Sequence, residues 1–263
     1  MATDSEGVYK PPTALPTQAQ PLPPATKASP WSHVFSGLCV VTLGVFLYLI
    51  YFIFNRTPDA QAAAGGLAQK IFYFHVPAAY AMYLGGVACF LGSAAYLMRA
   101  TDARNAWARA GAETAVVFGM LVLVSGPLWA KKAWGVYWTW DPRLTTLMLS
   151  VLIYLAIAVL RAFGGDGEAE RKFAAALGVL GTVTLPIVHY AVRKWGGNHP
   201  TVITKGGGGL GDPAMYQALG IGFLAMTLLW ILLLWMRIAV ETSEARARHA
   251  EERLITSGHI DEL

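Results

Sequence analysis

Three stretches of this 263-residue chain carry side chains whose types and spacing could do chemistry together. Trp134 to Thr145 sets Trp134, Trp138 and Trp140 beside Tyr137, Asp141 and Arg143. Lys70 to Pro77 carries Lys70 and His75, and Arg193 to Pro200 carries Arg193, Lys194, Trp195 and His199. Neutral imidazoles ligate transition metals, including the iron of a haem. A planar macrocycle with carboxylate arms needs flat rings against it and cations at its edge, and Lys70, Arg143, Arg193 and Lys194 are candidates for the cations. Zinc held by His75, His199 and Asp141 is the competing metal reading, and it leaves the indoles unexplained.

Each residue also has a plainer reading. His75, a few positions into an apolar run, can be a packing histidine bonded to a backbone carbonyl. His199, in a glycine-rich loop, can be simply solvated. Tryptophans gather at membrane interfaces, and Trp31, Trp107, Trp129, Trp230 and Trp235 fit such a belt. Asp141 can cap a helix with Pro142 in its first turn. His189 follows Pro186, which frees a backbone carbonyl, and bonding into that gap is preferred to a ligand role.

The elements that must position these residues are membrane helices. The chain is 55% hydrophobic and 14% charged, with a mean hydropathy of +0.45, where soluble domains carry about 25% charged residues. Six apolar runs, near 34–54, 72–98, 111–130, 144–163, 173–192 and 215–236, each suffice to cross a hydrocarbon core of about 30 Å. The fold class is therefore an all-α integral membrane protein with six transmembrane helices. Gly85, Gly86, Gly92, Ser93, Ala94 and Ala95 give the second span a face for close packing. Glu113 is expected in the first turn of the third span, where a carboxylate is favoured. Residues 1–33 read as a disordered proline-rich tail without the pattern of a secretory signal. Residues 34–236 form the membrane domain with the tryptophan loop at 131–143, and residues 237–263 form a charged, solvated tail.

Six spans put both termini on one side. Of the 20 Lys and Arg residues, 12 fall with the termini and the loops near 99–110 and 161–172. The other 8 fall with the loops near 55–71, 131–143 and 193–214. The excess places both termini in the cytoplasm and the tryptophan loop on the outer face. His75 and His199 share that face, while His33, His249 and His259 lie opposite. Cys39 and Cys89 sit in apolar runs and no CxxC occurs, which argues against a disulfide framework or thiol redox chemistry. The basic residues are dispersed, without a nucleic-acid signature. No Ser-His-Asp set, paired carboxylates or phosphate loop is present, and Gly206 to Gly209 read as a linker.

The Trp134–Thr145 stretch resembles the tryptophan-rich WWD signature of the haem-handling family of cytochrome c biogenesis. Its WDPRLT ending, the FHVPAAY segment from Phe74 to Tyr80, the six spans and Asp212 to Met215 before the last span are similar to the CcmC branch. The resemblance runs from the first span to the sixth. It implies a six-helix bundle in the bacterial inner membrane with the WWD loop facing the periplasm. It implies bound haem b, with His75 and His199 as axial ligands, Trp134, Trp138, Trp140 and Asp141 as the WWD residues, and Arg143 as the arginine of the signature. Lys70 and Trp195 match further positions. Lys194 departs from a common tryptophan, and Asn198 and Pro200 differ from the usual neighbours of the second ligand. The implied partners are the haem chaperone CcmE, the small protein CcmD and the CcmAB transporter.

The expectation is a scaffold rather than an enzyme, presenting haem at the periplasmic face for covalent attachment to its chaperone. A membrane exporter of haem or another solute is the alternative. It is disfavoured because the spans hold almost no charge and no broken-helix pair. A quinone-linked haem enzyme needs histidines deep in facing helices, which only His75 and His189 approach.

Overall fold

The computed structural model describes residues 30–60, 65–165, 167–197, 199 and 210–256. The expectations for residues 1–29, Gly206 to Gly209 and His259 lie outside them. Among the described residues every regular element is helical, and six helices are long and apolar enough to cross a membrane. They are α1 (Pro30–Asn55), α2 (Phe72–Met98, entered through a 3-10 turn at Gly66–Ile71), α3 (Asp102–Trp134), α4 (Pro142–Phe163), the pair α5 (Glu168–Thr182) and α6 (Thr184–Trp195), and α7 (Pro213–Thr256).

Helix α2 is the centre. It packs on α3, α5 and α7, while α4 lies against α3, α5 and α6, and α1 closes onto α7. Its small-residue face is used as anticipated. A Cβ on Gly85 would stand 2.6 Å from the Ala115 amide, and one on Gly92 would stand 2.4 Å from the Ala108 amide. The backbones of α2 and α3 therefore meet at distances that only glycine permits. Cys89 is buried in this core as a free thiol. Pro77 removes the amide that would bond to Tyr73 O, and Gly222 of α7 packs against that carbonyl.

Three expectations change. Helix α1 already begins at Pro30, so residues 30–33, expected in the disordered tail, are helical. The fifth span is not one helix: it turns at Val183 and restarts as α6. Pro186 has no N–H for the Thr182 carbonyl and its ring crowds that carbonyl, so the break falls in the middle of the span rather than near its end. Glu113 is not in a first turn, because α3 begins at Asp102. It lies well inside α3 and is stabilised by ion pairs to Arg109, at 3.0 Å, and Arg237. The charged segment after Arg237 continues α7 without interruption.

Candidate functional site

Four helix ends converge on the tryptophan loop. Gly135, in the left-handed region at φ 79°, stops α3 just after Trp134. Lys131 reaches back to the Gly135 carbonyl at 2.9 Å and lies over the Tyr137 ring. Asp141 restarts the chain as the N-cap of α4, its Oδ1 accepting from the Arg143 amide at 2.9 Å, with Pro142 following. This is the capping anticipated from the sequence. The other carboxylate oxygen has a second task, since Oδ2 accepts from the His199 amide at 3.2 Å. The loop after α6 passes so close that a Cβ on Gly197 would stand 2.2 Å from Oδ2.

His75, on the first turn of α2, faces α3. Its Nδ1 is 2.9 Å from Ser125 Oγ, and a Cβ on Gly126 would meet its Cε1 at 3.1 Å. Arg143 bridges the loop to α6. Its Nη1 donates to His199 Nδ1 at 3.3 Å and its Nη2 to the His189 carbonyl at 3.0 Å. His189 thus contributes its backbone, and its ring meets Tyr190 edge to face. His75, His199, Asp141 and Arg143 therefore share one end of the bundle.

The indoles do not form one flat sheet. Trp138 and Trp140 meet at 83° with centroids 5.9 Å apart, and Trp134 meets Trp129 at 81° and 5.3 Å. Trp129, which the sequence suggested was belt or packing, is fixed by donating to Gln69 Oε1 at 2.9 Å. Trp140 is 74% exposed and Trp195 64%, so the rim is open and aromatic. Lys70 lies apart from Arg143 in its bonding, paired with Asp59 at 3.0 Å and set over the Phe54 ring. Ser125, Gln69 and Asp59 were not anticipated. A serine in an apolar span gives no local signal of the ring it will meet.

Four of the nine buried polar atoms without a hydrogen-bond partner among the described residues lie here. Trp138 Nε1, Thr139 Oγ1, Arg143 Nε and Thr145 Oγ1 all lie within the loop and the first turn of α4. Native proteins seldom leave such groups unmet, so a run of them in one loop is a candidate place for a polar ligand. All four are N–H or O–H donors, one of them on the guanidinium, at the same end as two imidazoles, a set suited to a metal macrocycle bearing carboxylates.

The fold and this end define an all-helical, six-span membrane protein with a histidine- and tryptophan-lined mouth. A family model described as heme exporter protein C matches residues 15–253. The chain belongs to that family. It is 33% identical over 170 residues to heme exporter protein C of Bradyrhizobium diazoefficiens, covering 64% of each chain. It is 36% identical over 138 residues to heme exporter protein C of Escherichia coli K12, covering 51% of this chain and 55% of the relative. A ccmC-like mitochondrial cytochrome c biosynthesis protein of Marchantia polymorpha is 27% identical over 178 residues, covering 67% and 73%. The matched stretches span less than two thirds of the two bacterial relatives' own length.

Proposed function

We propose that this chain binds haem b at the tryptophan-loop end and presents it, on the periplasmic face of the bacterial inner membrane, to the haem chaperone CcmE during cytochrome c biogenesis. The observation that carries the reading is the meeting of His75, His199 and Arg143 beside the unmet donors of residues 138–145. His75 and His199 supply the axial nitrogens. Trp138 and Trp140 offer apolar surface, and Arg143 with its neighbouring donors takes the propionates. Lys70 supports the same edge once drawn from Asp59. The excess of Lys and Arg on the opposite side supports cytoplasmic termini.

The role is handover. The chain holds and orients its cargo while the new bond forms on the partner, so it is read as a scaffold rather than an enzyme. CcmD and the CcmAB transporter are the further partners this reading implies. Among the described residues only one span is broken, at Val183, which gives little support to an exporter acting through paired discontinuous helices.

The test is an optical and resonance Raman spectrum of the purified protein supplied with haem. Wild type is expected to give six-coordinate low-spin haem. His75→Ala and His199→Ala each lose that spectrum, and the double variant retains no haem. Wild type that takes up no haem, or a double variant with an unchanged spectrum, would sink the reading.

A further inference from the structure

The hydrogen bonds at the two imidazoles impose opposite tautomers. Ser125 Oγ donates its one proton to the Leu121 carbonyl at 2.6 Å. It can then only accept from His75, so Nδ1 of His75 carries the proton and Nε2 carries the lone pair. This is how an outer-shell partner sets an imidazole for ligation through Nε2. At His199 the logic reverses. A guanidinium has donors only, so Nδ1 must accept from Arg143 Nη1 and the proton sits on Nε2. An Nε2 that bears a proton has no lone pair for a metal.

We propose that His75 is the ligand set in advance, whereas His199 is a masked ligand that Arg143 holds in the non-ligating tautomer until a carboxylate of the cargo takes the guanidinium. The proposal rests on the haem reading above. Both side-chain hydrogen bonds of Arg143 go to neutral acceptors, His199 Nδ1 and the His189 carbonyl, and its buried Nε has no acceptor. Both present bonds have only a charged donor, whereas a carboxylate adds an opposite charge and can take the guanidinium fork bidentately, so the exchange runs toward the carboxylate.

The step balances without an outside reagent. The Nη1–H to Nδ1 bond breaks and an Nη1–H to carboxylate bond forms. His199 releases its Nε2 proton to water and takes one from water at Nδ1, with no net proton change. The freed Nε2 lone pair then binds iron, and no electron moves. Asp141 retains the His199 amide, which keeps the chain in place while the ring changes partner.

The experiment compares haem with haem dimethyl ester, whose propionates cannot engage Arg143. Wild type with haem should be six-coordinate and low-spin. Wild type with the ester should lose the sixth ligand and become five-coordinate and high-spin through His75. Arg143→Met, or wild type in excess acetate to draw the guanidinium, should restore the low-spin spectrum with the ester, and His199→Ala in acetate should not. Wild type that gives a low-spin spectrum with the ester, or fails to bind it, overturns the masking. So does an ester complex that stays high-spin under acetate. Failure of haem itself to bind would instead overturn the proposed function.

Discussion

The two ends of the bundle treat most of their polar groups in opposite ways, although Arg161 Nε and Nη2 stay unmet beside the ion pairs. At the end where α3 begins and α7 leaves, carboxylates answer guanidiniums within and across helices. Arg109 meets Glu113 and Glu241 at 3.0 Å each, Arg237 meets Glu241 at 2.6 Å and also Glu113, and Arg171 meets Asp102 at 2.8 Å. At the tryptophan end, Arg143 bonds neutral acceptors, Asp141 serves two backbone amides, and four polar atoms between Trp138 and Thr145 remain unmet. Closed ion pairs tie α3 and α7 together. Open valences leave room for something that is not part of the chain. The difference separates an end that fixes the fold from an end that receives a ligand.

The largest expected effect tests the closed end. Glu241 is 4% exposed, and Glu241→Ala removes one of the two carboxylates that Arg109 and Arg237 share, leaving both on Glu113 alone. Stranding a buried charge outright costs about 3–5 kcal/mol, which is the ceiling here. Thermal unfolding in detergent should show that loss while the haem spectrum of the surviving folded protein stays unchanged. A shifted spectrum would blur the separation of the ends.

Asp141→Ala acts at the open end. Loss of the cap should cost about 1 kcal/mol, a smaller stability change than that of Glu241→Ala. The spectral change should be larger, because the same carboxylate holds the His199 amide. Gly197→Ala should lower stability to a similar degree and weaken the sixth ligand, since φ 135° strains a side chain there and its Cβ would displace the Asp141 carboxylate. Raman spin-state markers read both, and wild-type ligation in either variant would remove Asp141 from the site. The smallest effect belongs to His249→Ala. It deletes an exposed pair with Asp102, at 2.8 Å, and should leave both the unfolding temperature and the spectrum nearly unmoved.

Much of this was legible in the sequence because hydropathy and helix capping are local. The spans follow from runs of apolar residues, and Asp141-Pro142 announces the start of α4. His75 and His199 stand out by residue type alone. What escaped depends on distant neighbours. Glu113 in an apolar run fits either a helix start or a paired interior position, and its partner Arg237 lies 124 residues away. Lys70 reads as a spare cation until the fold brings Asp59 to it. Ser125 bonds its own i−4 carbonyl, as serines in apolar helices commonly do, so nothing local shows that it also meets His75. Pro186 marks a break, but the position of that break depends on the Thr182 carbonyl one turn earlier.

Helix α7 has a further consequence. Its 44 residues span about 66 Å at the usual helical rise, against a hydrocarbon core of about 30 Å. Arg109 of α3 grips Glu241 and so fixes the register of the rod along α3. From Glu241 to Thr256 the helix runs on for about 22 Å, held at first by the buried Ala245 and by His249 on Asp102. A push at its tip is carried by an unbroken shaft into the packed core.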